Sequence, residues 1–281
     1  MNYRHAFHAG NFADVVKHAT LARVIVHLKE KPAAFRVIDT HAGCGLYDLT
    51  GPQASRTGEW RAGIGRLRAA TFDPAARELL APYLDAVAAF NPDGAIATYP
   101  GSPALAQRLL RAHDRLVACE LGSSAAEALA AQMRRDARVK VVAIDGYTAL
   151  NAYVPPKERR GLVLLDPPFE QPDEFERLVD ALAGAHRKWP TGIYLIWYPL
   201  KDARATGRFA RDLARLGVPR MLRAELAIAR ARAAERLAGT GLIVVNPPWR
   251  LEGELNVLLP ALAKGLAENG QVRIDWLAGE K

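Results

Sequence analysis

The stretch Gly161-Leu162-Val163-Leu164-Leu165-Asp166-Pro167-Pro168-Phe169 decides the fold. Its first five residues form a short apolar run bounded by breakers, the pattern of a fully buried strand. Two successive prolines lack the N–H that would extend the ladder, so they fix an extended turn at the strand's carboxyl end. Open α/β sheets bind their ligands at that edge. The turn presents a carboxylate, backbone carbonyls and an aromatic face together. This set suits a flat base with an exocyclic amine, whose hydrogens reach Asp166 and the Pro167 carbonyl. The ring then stacks on Phe169, a contact worth about 1–3 kcal/mol per base. The same four residues also make an ordinary strand stop.

Strands are predicted over 35–40, 115–120, 139–144, 161–165, 192–198, 220–228 and 241–245, with helices over 12–29, 103–112, 173–187 and 203–216 between them. The alternation predicts an α/β fold, a Rossmann-like, mostly parallel seven-stranded sheet. His41-Ala42-Gly43-Cys44-Gly45 follows the first strand, and Gly-x-Gly there lets backbone approach a ligand closely. A third glycine at dinucleotide spacing is missing, and so is a Lys-Ser or Lys-Thr pair. A nicotinamide cofactor and a nucleoside triphosphate are thereby disfavoured. Acids end four of the strands: Asp39, Glu120, Asp145 and Asp166. Glu120 suits ribose hydroxyls, Asp145 an adenine amino group, and the set as a whole a cationic, phosphate-free nucleoside such as S-adenosylmethionine. Ser102 is expected to cap the helix over 103–112 and to face the ligand. Trp197-Tyr198 closes the strand over 192–198, where the two rings either wall the pocket or fill core.

Residues 47–100 interrupt the alternation and read as a small helical insertion, leaving 1–46 and 101–281 as the two parts of the main domain. Helices are expected over 58–70 and 74–90, and Arg56, Arg61, Arg66 and Arg68 could give the insertion a basic, RNA-binding face. Ahead of the first strand, Asn11 should cap the helix over 12–29, which carries an approximate apolar stripe. The arm before it, with Tyr3, Arg4 and His5, would be free to fold over a site, to which Lys17 and His18 add polar groups. His5, His8 and His18 have no cysteine among them and only Asp14 as a carboxylate, a poor donor set for a metal.

Of the 281 residues 50% are hydrophobic and 7% aromatic, the composition of a globular chain. The net charge of +8, carried mostly by arginine, and a pI near 9.6 suit a polyanionic partner. Apolar runs are strand-length, so no membrane span is expected, and the polar N-terminus does not resemble a signal peptide. Two cysteines, Cys44 and Cys119, fit a reducing cytoplasm. The strand over 241–245 ends in Asn246-Pro247-Pro248-Trp249, a near copy of the first motif. Asn cannot accept a proton as a carboxylate does, so this copy reads as a structural turn or an outer pocket wall.

The chain resembles class I S-adenosylmethionine-dependent methyltransferases that modify adenine N6, and most closely the RlmJ family. The resemblance is carried by Tyr3-Arg4-His5-Ala6-Phe7-His8-Ala9-Gly10-Asn11, DTHAGCG at 39–45, TYPGSP at 98–103, LLDPPF at 164–169, GIYLIWYP at 192–199 and GLIVVNPPW at 241–249. It implies methylation of adenine 2030 of 23S ribosomal RNA by a protein expected to be monomeric and metal-free. It also implies that His18, His41, Ser102, Glu120, Asp145, Gly146 and Asp166 contact the methyl donor. Asp166 would be the catalytic acceptor, and Tyr3, His5, Lys17, Pro167 and Phe169 would engage the substrate. Phe169 stands where the family commonly has Tyr, which keeps stacking and drops the phenol hydroxyl. A DNA adenine methyltransferase with the same turn, an inactive RNA-binding protein on this fold and a nicotinamide-dependent oxidoreductase are the rival readings.

Overall fold

A computed structural model describes residues 4–228, 237–267 and 269–279. In chain order the strands are β1 (Arg36–Asp39), β2 (Leu46–Asp48), β3 (Thr98–Pro100), β4 (Arg115–Glu120), β5 (Val139–Ala143), β6 (Gly161–Leu165), β7 (Ile193–Leu200), β8 (Met221–Ala227), β9 (Gly239–Val245) and β10 (Gln271–Ala278). The helices are α1 (Phe12–Lys29), α2 (Pro52–Thr57), α3 (Arg66–Ala69), α4 (Pro74–Ala88), α5 (Ser102–Leu109), α6 (Ser123–Met133), α7 (Gly146–Tyr153), α8 (Glu174–Lys188), α9 (Ala203–Arg215) and α10 (Leu251–Leu266). Tyr3 and the arginines Arg230, Arg232 and Arg236 lie outside the described residues.

The main sheet has the order β10-β8-β9-β7-β6-β1-β4-β5. From β5 to β7 every pairing is parallel, and β9, β8 and β10 then add antiparallel. β6 is buried along its whole length, as its continuous apolar run requires between two helical layers. The sheet therefore has eight strands where seven were expected. The extra one, β10, is an edge strand whose apolar pattern is broken by Arg273 and Asp275. In the fold, Asp275 lies opposite Arg223 on β8 and takes two hydrogen bonds from its guanidinium, at 2.8 and 2.6 Å, so those charges belong to the strand pairing.

Helix α1 has the predicted bounds, and Asn11 Oδ1 accepts from the Ala13 and Asp14 amides as its cap. The expected single stripe is not what it shows, because 15 of its 18 residues are buried, Asp14, Lys17 and His18 included. A helix enclosed on all sides has no solvent face to keep polar, so its charged residues must find partners inside. Arg23 and His27 find theirs in Glu254 of α10, at 2.7–3.0 Å.

Between β1 and β4 the chain forms the β2–β3 pair, α2, a π-turn at Arg61–Gly65, α3 and α4. The single helix expected over 58–70 is broken because Gly63 must let backbone close in. A Cβ there would lie 2.0 Å from the Gly10 carbonyl oxygen, which accepts from the Ile64 amide at 2.8 Å. The same packing fixes the arm. His8 and Asn11 both bond Glu59, and His5 bonds Asp14, so the described residues of the arm are seated and not free to swing. No described helix is long and apolar enough to cross a membrane.

Candidate active site

The carboxyl ends of the parallel strands lie along one edge, and the sheet order β5-β4-β1-β6 sets Asp145, Glu120, Asp39 and Asp166 in a row there. Gly43 takes φ +62°, a left-handed conformation that favours glycine, and its amide donates to Glu120 Oε2 at 2.8 Å. Glu120 Oε1 accepts from the Gly122 amide at 2.7 Å. Asp145 caps α7, accepting from the Thr148 amide and hydroxyl at 2.8 and 2.9 Å through Oδ2. Burial alone would raise Asp145, but those bonds keep it below the usual carboxylate value. Each of these acids keeps acceptor capacity toward the edge after its structural bonds are made. Ser102 does not cap α5; it is the first helical residue, and Gly101 holds the capping position. The Ser102 hydroxyl instead serves the buried Asp39.

Asp166 follows β6 and is partly exposed, whereas Pro167 is buried. Its Oδ2 accepts from Lys17 Nζ at 2.5 Å, and the same ammonium lies 2.8 Å from Asp14 Oδ1. Asp14 Oδ2 in turn meets His5 Nε2 at 3.0 Å and accepts from the Gly10 amide at 2.9 Å. Burial alone would lower Lys17, but the two carboxylates hold it above the ordinary lysine value. Burial alone would raise Asp14, and His5 and Lys17 hold it well below the carboxylate range instead. The cluster is thus a buried cation between two anions, and it fixes one oxygen of Asp166 while leaving the other available.

Two histidines of the set expected around the methyl donor are neutral, His18 buried and His41 partly exposed. Burial lowers His18 to about 3, and its Nδ1 pairs with the Tyr99 hydroxyl at 2.8 Å. Burial lowers His41 to about 4. Thr40 Oγ1 donates to the Leu164 carbonyl at 2.8 Å and lies 2.8 Å from His41 Nδ1. Its single proton is then committed, so His41 Nδ1 is the donor and Nε2 keeps its lone pair. Gly146 starts α7 against this ring, where a Cβ would lie 2.6 Å from Cε1.

Phe169 takes φ +52° and is held edge-on by Phe175 and Trp197, with centroids 4.9 and 5.6 Å away. Trp197 also lies 5.6 Å from Lys17 Nζ, so it belongs to this site, whereas its neighbour Tyr198 fills core. The second Pro-Pro turn does not belong. β9 runs antiparallel to β7 with Val245 opposite Tyr194, which carries Asn246 to the far edge of the sheet. There its side-chain amide donates to the Pro190 and Gly192 carbonyls at 2.8 Å, a structural turn and no pocket wall.

Asp39 is 1% exposed, and its Oδ2 has no hydrogen-bond partner among the described residues. Burial pushes its carboxyl up to about 7, opposed by the Ser102 hydroxyl and reinforced by the Asp166 charge. An acid raised on folding contributes a stability that falls as pH rises from its unfolded value to about 7. His18 and His41, lowered on folding, act in the opposite sense, and their contribution is lost as pH falls below 6.5. Asp39→Asn keeps the neutral form at every pH. Its stabilisation over wild type should therefore be greater at pH 8 than at pH 5 by on the order of 2–3 kcal/mol, read from denaturant melts. An equal gain at both pH values would refute the assignment.

The buried, unpartnered Asp39 oxygen, the open lone pairs of Glu120 and Asp145 and the left-handed glycine turn fit a nucleoside that carries positive charge and no phosphate. Lys17, the buried cation beside these groups, is already matched by Asp14 and Asp166. Asp14 is the site residue that sequence reasoning does not reach. Its only signal there is its position three residues before Lys17 on the same helix.

A family model described as Ribosomal RNA large subunit methyltransferase D, RlmJ, matches residues 32–278. Two relatives named Ribosomal RNA large subunit methyltransferase J, from Escherichia coli and Haemophilus influenzae, are 39% and 38% identical, with 100% of this chain and of each relative covered. A crystal structure of a Legionella pneumophila protein superposes with a TM-score of 0.87 at 32% identity, covering 96% of this chain and 98% of that one. With the strand-end acids, the Asp-Pro-Pro turn and full-length similarity in agreement, the chain belongs to the RlmJ family of ribosomal RNA large subunit methyltransferases.

Proposed function

We propose that this protein methylates N6 of an adenine in 23S ribosomal RNA, at position 2030, using S-adenosylmethionine. The observation that carries this reading is the partly exposed Asp166 carboxylate at the sheet edge, one oxygen gripped by Lys17, with Pro167 next to it in the chain. When bound, S-adenosylmethionine supplies an electrophilic methyl group on a sulfonium. His18, His41, Ser102, Glu120, Asp145, Gly146 and Asp166 would hold it along the row of strand ends.

The chain's own residues prepare the acceptor. An adenine amine is a weak nucleophile because its lone pair is delocalised into the ring. Accepting its two hydrogens at Asp166 and the Pro167 carbonyl orients that lone pair and stabilises the positive charge that grows on nitrogen, a preorganised electrostatic effect. The proton leaves afterwards to Asp166 or water, and alignment supplies much of the remaining acceleration. Phe169, fixed by Phe175 and Trp197, offers the base a ring to stack on. The base must be unpaired or flipped to reach it. His5, seated on Asp14, and Tyr3 would engage the substrate from the N-terminal side.

Incubation of the protein with labelled S-adenosylmethionine and protein-free 23S ribosomal RNA should yield N6-methyladenosine at one site on nucleoside analysis. Label in another nucleoside, or label only in DNA supplied in parallel, would overturn the reading.

A further inference from the structure

Helix α9 carries a row of arginines that neither the fold nor the site uses. Arg204, Arg208, Arg211 and Arg215 recur at i, i+4, i+7 and i+11, which places them on one face, and all four are exposed. The opposite face, Phe209 and Leu213, is buried, with Phe209 against Phe175 and Tyr198. Among the described residues Arg204, Arg208 and Arg211 make no ion pair, and Arg215 makes one exposed contact of 3.5 Å with Asp212. Like charges three and four residues apart weaken a helix by about 0.2–0.5 kcal/mol per pair. Such a row opposes its own helix unless an anion neutralises it.

The placement names the anion. β7 ends at the candidate site, where Trp197 touches Phe169. Lys201 follows it, close enough for its charge to act on His8 of the N-terminal arm. α9 then runs to the far edge, because β8 begins there with Met221 opposite Val245. The arginines are thus strung from the mouth of the site outward over about 16 Å, one per helical turn of about 5.4 Å. The basic set between β1 and β4 is a weaker candidate. Arg56 lies over Phe7, Arg61 over Trp60, and Arg68 donates to the Gly94 carbonyl, so three of its four side chains have internal partners.

We propose that the arginine face of α9, with Lys201 at its mouth end, binds the RNA phosphate backbone flanking the target adenine. This rests on the RNA methyltransferase reading. The contacts position the strand and carry no sequence information, which stays with the base pocket.

The test compares the full-length variant R204Q/R208Q/R211Q/R215Q with a control that loses the same charge elsewhere, R77Q/R108Q/R134Q/R135Q, whose arginines are also exposed. Glutamine keeps helix propensity close to that of arginine. For protein-free 23S ribosomal RNA the α9 variant should bind at least tenfold more weakly than the control. The slope of log affinity against log salt should fall by about 3, as expected for four phosphate contacts. KM for RNA should rise in step, while kcat at saturating RNA and S-adenosylmethionine affinity by calorimetry stay unchanged. Affinity equal to the control's, or a fall in kcat with KM unchanged, overturns the α9 surface and leaves the methyltransferase reading standing. A wild-type protein that neither binds nor methylates this RNA overturns both.

Discussion

Replacing Asp166 with Ala should lower kcat for RNA methylation by about 10²–10³-fold, the usual loss when one preorganised partner of developing charge is removed. The fold should survive the change. Asp166 is partly exposed and stands at the end of its cluster, and Lys17 remains paired with Asp14 at 2.8 Å when it is gone. The variant should melt close to wild type and bind S-adenosylmethionine within about tenfold, since the other strand-end acids are untouched. Asn246→Ala provides the contrast. That side chain is bonded to Pro190 and Gly192 at the opposite edge, so its loss should leave kcat at the wild-type value. Full activity in Asp166→Ala would remove the carboxylate from the reaction. Lost activity in Asn246→Ala with an intact melt would mean that the two turns have been assigned the wrong way round.

That contrast also marks what is legible in the sequence. Asp166-Pro167-Pro168-Phe169 and Asn246-Pro247-Pro248-Trp249 follow equally apolar strands, and local pattern cannot say which edge either turn faces. Strand direction decides it. β9 is antiparallel, and antiparallel placement depends on pairing with β7 and β8 across the sheet, a long-range fact. The parallel strands, the capped α1 and the row of acids are readable because each is written in contiguous residues: a run, a cap, a strand end. β10 escapes such a reading because Asp275, which interrupts its pattern, is satisfied by Arg223 about fifty positions away. The Asp14–Lys17–Asp166 cluster is equally hidden. It joins α1 to the turn after β6 across 149 positions, and only the burial of α1 makes Asp14 a necessary partner of Lys17.

Lys17→Met tests that cluster and should cost far more stability than Asp166→Ala or Asn246→Ala. Lys17 and Asp14 are almost completely buried, and removing one member of a buried pair typically costs about 3–5 kcal/mol, because the remaining charge keeps its desolvation penalty. For a chain of this size that corresponds to a Tm lower by about 6 °C or more. The pH dependence is specific. Asp14 is lowered on folding, so its contribution is present above its unfolded value and lost as pH falls through the folded one. Lys17 is raised, so its contribution is complete below its unfolded value and lost only at strongly alkaline pH. Both wild-type windows lie outside about pH 5 to 9, so the penalty of Lys17→Met changes there only through the stranded Asp14 carboxylate. Burial pushes that carboxyl up once the ammonium is gone, and the penalty should shrink as pH falls. Adding Asp14→Asn removes the stranded carboxylate, and the double variant should recover much of the lost stability. It should not recover kcat, because Asp166 still lacks the ammonium that fixes Oδ2 and turns its other oxygen toward the amine. A double variant that regains both would show that Lys17 serves the fold alone. Stability regained without turnover separates the two roles, and it makes Lys17 the positioning residue through which the central helix sets the geometry of the catalytic turn.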